Sequence, residues 1–392
     1  MSAAIAKFRE SSRANLVIAI AAIAIAAVLP FFFNPLDSKV DNAILALAYV
    51  VMALGLNIVV GFAGLLDLGY VAFYAFGSYS VGWFASDFFS KANGGKGVHV
   101  LVSGAAAETP LSHMPTAGIH LNFLIIIVIA VIIAAIVGIV IGLPTLRLRG
   151  DYIAIVTLAF GEIIRVFAFF GNDIEYKGYH LTNGRQAIAP VDQIDLPGLK
   201  AFDNAVNLRP YYWFALAMVA FALFVNFRLR DSRLGRAWIA IREDEVAAAS
   251  MGVPLVKTKL MAYATGGALG GISGAFFGAY YQSINAQQFQ FGFSIFILAM
   301  IILGGLGSIW GVVIGAVSLS VINNYVIPKA NSVPSSIGLN FDLTQLSFGI
   351  FGFLIVMMMV LRPEGLLPER RRKLELTEGI GTGDEQLVEV RP

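Results

Sequence analysis

The sequence predicts an all-α fold, a polytopic membrane helix bundle of about ten transmembrane helices with both termini cytoplasmic. Three observations predict it. Of the 392 residues, 58% are hydrophobic, 40 are glycine and only 13% are charged, about half the roughly 25% charge usual in soluble domains. A water-soluble core cannot hide so much apolar side chain, so a lipid-facing surface is required. The apolar residues also gather in ten stretches near 16–33, 43–60, 69–86, 123–143, 152–170, 211–227, 259–281, 292–309, 312–327 and 346–361. Most are close to the roughly 20 residues that cross hydrocarbon. With the N-terminus inside, the cytoplasmic side receives 17 Lys and Arg up to residue 373 and the opposite side eight. That asymmetry sets the orientation.

Composition also excludes function classes. A net charge of +2 provides no basic face for nucleic acid. The absence of cysteine rules out disulfides, thiol nucleophiles and Cys-based zinc or iron–sulfur sites.

Residues 1–15 read as a cytoplasmic N-terminus and 16–361 as the membrane domain. The first stretch follows Lys7, Arg9 and Arg13 as a signal peptide does, but nine stretches behind it favour an uncleaved anchor. Glycines break 61–86 and 291–310, so either region can be re-entrant instead of a full span. The segments near 87–122 and 171–210 are long outside loops. His99, His113 and His120 share the first, at spacings of 14 and 7 that match no compact metal motif. They are expected to be solvated, with no metal site. Residues 362–392 form a cytoplasmic polar tail whose run Arg370–Lys373 suits anionic headgroups.

Charged side chains within apolar stretches are costly and so mark candidate positions. Glu162 and Arg165, three residues apart on one helix, can pair. They either line a solute path or glue two helices, and the glue is favoured. Asp67 lies in the Gly-broken stretch Gly61–Gly69, where it caps the following helix or binds a cationic group. These three are the translocation-path candidates. Gly266, Gly270, Gly274 and Gly278 recur every four residues, with Gly267 and Gly271 one step round. Such a stripe lets another backbone approach closely in lipid.

The cytoplasmic loop 228–258 carries a short helix over about 236–251. Asp231 or Ser232 can start it, and Gly252 followed by Pro254 stops it. Trp238, Ile241, Glu245 and Ala249 share one face. Either that face lies on the membrane surface or it docks into a partner's groove. Neither Trp238 nor Glu245 is in a span, so their replacement is expected to leave folding and abundance normal. No phosphate loop, H-E-x-x-H or G-x-S-x-G occurs, and catalytic residues are expected to be absent. Transport is then the default role.

The run Arg236-Ala-Trp-Ile-Ala-Ile-Arg-Glu-Asp-Glu-Val-Ala-Ala-Ala-Ser-Met-Gly252 resembles the coupling loop of bacterial ABC importer permeases of the branched-chain amino acid family. Four further segments are similar to the same family, namely 61–69, 150–162, 303–311 and 362–366. Length and span number resemble the LivM-type subunit more than its shorter LivH-type paralogue. Three features depart from the family pattern. Asp67 stands where relatives usually carry Ser, Asn183 replaces a glycine of a Thr-Gly-Gly turn, and Glu245 to Gly252 is one residue long for the coupling register.

The resemblance implies a permease that forms a heterodimer with a paralogous subunit in the bacterial inner membrane. Two cytoplasmic ABC ATPases would use ATP and Mg, this chain itself binding no cofactor, and an extracytoplasmic substrate-binding protein would deliver the cargo. It implies coupling to the ATPases through Arg236, Trp238, Ile241, Glu243, Asp244, Glu245 and Gly252. Leucine, isoleucine and valine are the implied solutes. Urea or an amide is the runner-up, and an ion-coupled secondary transporter the alternative of another class.

Overall fold

The computed structural model describes residues 12–102, 117–146, 148, 152–176, 178–197, 201–203, 205–330, 346–362 and 364–367. Helices fill each of the ten apolar stretches. They are α1 (Ser12–Val28), α2 (Ser38–Leu56, continued by a π-helical turn Asn57–Phe62), α3 (Val71–Phe84), α4 (Phe123–Thr145) and α5 (Tyr152–Phe170). The rest of the chain adds α6 (Arg209–Asp231), α7 (Arg233–Glu243), α8 (Glu245–Ser250), α9 (Leu255–Tyr281), α10 (Phe291–Gly304), α11 (Ile309–Val321, prolonged to Ala330) and α12 (Ser347–Leu361). Among the described residues, six helices, Ser38–Phe62, Phe123–Thr145, Tyr152–Phe170, Arg209–Asp231, Leu255–Tyr281 and Ile309–Ala330, are long and apolar enough to cross a membrane. The chain is a polytopic membrane helix bundle. Its N-terminal residues 1–11, the tail after 367 and His113 lie outside the described residues.

The longest helix, α9, sits at the centre because its glycines remove the side chains that would hold neighbours away. A Cβ at Gly266 would lie 2.8 Å from the Gly55 carbonyl of α2, and one at Gly274 would lie 2.2 Å from the Tyr74 carbonyl of α3. At Gly270 it would meet Phe73 and Tyr70 of α3. In the offset pair, a Cβ at Gly267 would lie 2.9 Å from the Ala134 carbonyl of α4 and 3.0 Å from Phe73 of α3, and one at Gly271 would lie 2.8 Å from the Ala130 carbonyl of α4. Hydroxyls bridge these close contacts. Tyr70 Oη donates to Gly266 O at 2.8 Å, Ser78 Oγ to Gly274 O at 2.9 Å and Ser273 Oγ to Ala48 O at 3.0 Å. Backbone approach and interhelical hydrogen bonds are what hold helices together in lipid.

The all-α expectation needs one correction. Where α3 and α9 end and α4 begins, the chain forms a small sheet with β3 (Ile119–Leu121) between β1 (Ala85–Ser86), antiparallel to it, and β2 (Val98–Val100), parallel to it. A second pair, β4 (Glu175–Tyr176) and β5 (Tyr179–His180), is antiparallel. The sheet overturns the solvated-histidine expectation too. His120 on β3 is buried, and its Nδ1 is 2.6 Å from Asp192 Oδ2. His99 on β2 stacks against it with ring centroids 5.0 Å apart.

Burial alone would lower the His120 pKa, but the Asp192 hydrogen bond and charge, the Ala117 carbonyl and the nearby Asp87 together raise it. Burial also raises Asp192 against the pull of His120 and His99, with Asp195 adding to the rise. The pair therefore holds its proton to higher pH. A histidine with a raised folded pKa stabilises fully below its ordinary value of about 6.5 and loses that contribution as pH rises through the raised value. The melting-temperature gap between wild type and His120→Gln is expected to shrink steadily from pH 6 to pH 9. A constant gap would show that the pair does not titrate.

Candidate functional site

Residues 228–258 fold as an elbow of two helices, not the single helix expected. Ser232 Oγ accepts from Gly235 N–H at 3.1 Å and starts α7. Asp244 breaks the run by adopting an extended backbone, and its Oδ1 caps α8 by accepting from Val246 and Ala247 N–H at 2.8 and 2.9 Å. Gly252 ends the elbow at φ +83°, a left-handed conformation suited to glycine.

Of the shared face read from the sequence, Trp238, Ile241 and Glu245 turn inward and Ala249 is exposed. Trp238 is 0% exposed, and its Nε1 donates to Thr258 O at 2.7 Å. Ile241 is buried beside it. Glu245 accepts from buried Lys259 Nζ at 2.7 Å. Trp238 and Ile241 are thus core residues, and Glu245 is tied to α9. The expectation that Trp238 and Glu245 can be replaced without disturbing the fold is overturned. The outward surface belongs instead to Arg236, Glu243, Asp244, Val246, Ser250, Met251 and Gly252. Val246 and Met251 are 68% and 85% exposed.

Below the elbow the five segments singled out in the sequence come together. Arg242 on α7 donates from Nη1 to the Gly61 carbonyl at 2.7 Å. Its stem crosses Gly64, where a Cβ would lie 2.6 Å from Arg242 Cγ and where φ is +69°. Asn57 Oδ1, one turn up α2, accepts from Gly307 N–H at 3.0 Å in the link between α10 and α11. That link is stitched in turn to the last described segment, with Leu366 N–H to Leu303 O at 2.9 Å and Leu367 N–H to Gly304 O at 3.0 Å. Leu68 N–H reaches Thr157 Oγ1 of α5 at 3.0 Å, and Gly69 packs on Thr157 and Gly161. Gly150 and Asp151 of the 150–162 segment lie outside the described residues.

Between α2 and α3 the chain is non-helical over residues 63–70. Irregular backbone at membrane depth is tolerated where protein satisfies its polar groups. Here Thr157 takes Leu68 N–H, Asp67 Oδ1 takes Gly69 N–H at 2.8 Å, and Ser294 Oγ takes Val71 N–H at 3.0 Å. Asp67 therefore holds the turn leading into α3, whose own N-cap position is Tyr70. It is 1% exposed, with the Thr157 hydroxyl beside it. Glu162 and Arg165 pair at 2.7 Å, but their side chains are 36% and 38% exposed on the outside of α5. They do not glue two helices of this chain.

Arg242, Asn57, Thr157 and Ser294 were absent from the sequence-derived candidates. Arg242 was findable, because the spacing that groups Trp238 with Ile241 and Glu245 includes position 242. The other three carry no local signal. Their partners lie 250, 89 and 223 residues away.

The chain can now be set beside known proteins. It is 34% identical over 384 residues, 93% of its length and 78% of the relative's, to the high-affinity branched-chain amino acid transport system permease protein LivM of Salmonella typhimurium. It is 26% identical over 327 residues, 82% of its length and 91% of the relative's, to a probable LivM permease of Methanocaldococcus jannaschii. A shorter likeness, 35% over 107 residues, covers 27% of the chain and 33% of the LivH permease of Salmonella typhimurium. No solved structure matches. The profile described as branched-chain amino acid transport system, permease component, matches residues 40–361, and the chain belongs to that family.

Proposed function

We propose that the chain is one of two membrane-spanning subunits of an ATP-driven importer of leucine, isoleucine and valine. In this reading it crosses the inner membrane ten times with both termini cytoplasmic. A paralogous permease completes the pathway, an extracytoplasmic binding protein delivers the amino acid, and two ABC ATPases using ATP and Mg drive the cycle. The exposed elbow is the observation that carries it. Its inner face is packed and hydrogen-bonded into the bundle, while Val246 and Met251 stand out among Glu243, Asp244 and Ser250. Exposed apolar side chains on a rigid, capped element suit a partner's groove. The charge asymmetry of the sequence supports a cytoplasmic location for the same loop. The docking contacts are thus moved from Trp238 and Ile241 to the outer face.

Proteoliposomes holding the reconstituted complex test the assignment. Val246→Asp combined with Met251→Asp is expected to keep the wild-type melting temperature, since neither side chain is packed. Copurified ATPase and ATP-dependent leucine uptake should each fall about tenfold or more, as for a central contact worth over 1 kcal/mol per residue. Leucine uptake by the chain alone, driven by a proton or sodium gradient, would support a secondary transporter instead.

A further inference from the structure

We propose that Arg242 is the positioning residue that carries movement of the elbow into the membrane bundle. This rests on the reading that the elbow receives the ATPases. The polar contacts of the elbow sort into two kinds. Trp238 to Thr258 and Glu245 to Lys259 tie it to the first turn of α9, the helix that directly follows it in the chain. Those contacts make the elbow and α9 one body. Among the described residues, the Arg242 hydrogen bond is the polar contact of the elbow that reaches a distant part of the chain, 181 residues away.

Its target is not an ordinary carbonyl. Gly61 lies in the π-helical turn that ends α2, where carbonyls lack the next helical amide. A guanidinium is suited to such an end by charge and by hydrogen-bonding geometry. One glycine admits it, and a second admits the fastening beside it. Gly64 leaves room for the arginine stem, and a Cβ at Gly61 would lie 2.1 Å from Asn57 Oδ1 and 2.7 Å from Gly307 N. Arg242 therefore grips the backbone at the point where α2 is fastened through Asn57 to the α10–α11 link. A displacement of the elbow reaches two breaks in the bundle through one side chain. Gly61 and Gly64 open the non-helical link to α3, and Gly307 joins α10 to α11.

The test uses the complete reconstituted complex and reads leucine taken up per ATP hydrolysed. A role in folding alone does not change that ratio in the protein that assembles. For Arg242→Ala the expected result is normal copurification of the ATPases, with hydrolysis retained within about twofold and uptake per ATP lowered roughly tenfold, the loss that a charge-assisted hydrogen bond accounts for. Arg242→Lys keeps a donor of similar reach and should recover part of the ratio. Gly64→Ala leaves the guanidinium intact but crowds its stem, and should uncouple in the same direction. An unchanged ratio in both Arg242→Ala and Gly64→Ala would overturn the proposal. Loss of copurified ATPase from Arg242→Ala would also overturn it, by making Arg242 a docking contact. Normal copurification of the Val246 and Met251 double variant would instead sink the docking reading beneath it.

Discussion

Gly274→Leu is expected to abolish the folded bundle, and even Gly274→Ala should cost about 3 kcal/mol. The Cβ of alanine would sit 2.2 Å from the Tyr74 carbonyl and 3.0 Å from the Ser78 amide nitrogen. Both are backbone atoms of α3, and neither can rotate away. Relief would require α3 to retreat from α9, breaking the Ser78 hydrogen bond to the Gly274 carbonyl as it goes. Gly278, one turn further on, provides the internal control. Its nearest would-be neighbour is the Ser78 carbonyl at 3.4 Å, an ordinary contact. Gly278→Ala should therefore be neutral or slightly stabilising, because alanine gains about 1 kcal/mol of helix propensity over glycine. Melting followed by size-exclusion of detergent-solubilised protein separates the two. Equal behaviour of the two alanine variants would mean that α3 and α9 do not meet along this seam.

Trp238→Ala is expected to lower stability by about 3–5 kcal/mol, the range for emptying a buried large aromatic site. The side chain is fully enclosed where the elbow meets the bundle, and its indole supplies a hydrogen bond to the Thr258 carbonyl. Trp238→Phe fills most of the space but leaves that carbonyl short of a donor, so about 1 kcal/mol should be lost. Abundance in the membrane and melting temperature should fall in the order wild type, Phe, Ala. A Trp238→Ala protein with wild-type melting that no longer copurifies ATPase would return the residue to the docking face.

Parts of this architecture are legible in the sequence because they violate a local preference. Four glycines at every fourth position of an apolar helix are costly unless a backbone fills the space, and α9 packs there on α2 and α3. Ser232 and Gly252 are start and stop residues whose chemistry acts within three positions, so the ends of the elbow were readable. Its orientation was not. An amphipathic face identifies which side chains lie together, but not whether protein or solvent covers them, and Trp238 was placed outward for that reason. The resemblance implies Asp244 as a coupling residue, and its capping role has no separate signal because a cap in mid-run looks like any other acid. The His120–Asp192 pair joins residues 72 apart, too far for any pattern. The glycines of 61–69, by contrast, do mark a break in the sequence, and the chain is non-helical there over 63–70.

That open chain has a chemical consequence. The helix α3 has only 14 residues, a length of about 21 Å against the roughly 30 Å of hydrocarbon. The chain leading into it, residues 63–70, is non-helical and sets three leucines beside Asp67 and Tyr70. Two of its amides, Ala63 and Leu65, are met by the Ile58 and Val59 carbonyls at the end of α2, and two, Leu68 and Gly69, by the side chains of Thr157 and Asp67. The bundle thus carries a stretch of main chain, mostly buried, whose polar groups are held by protein partners instead of a helical ladder. Polarity in this permease is written partly in the backbone, where composition and hydropathy do not register it.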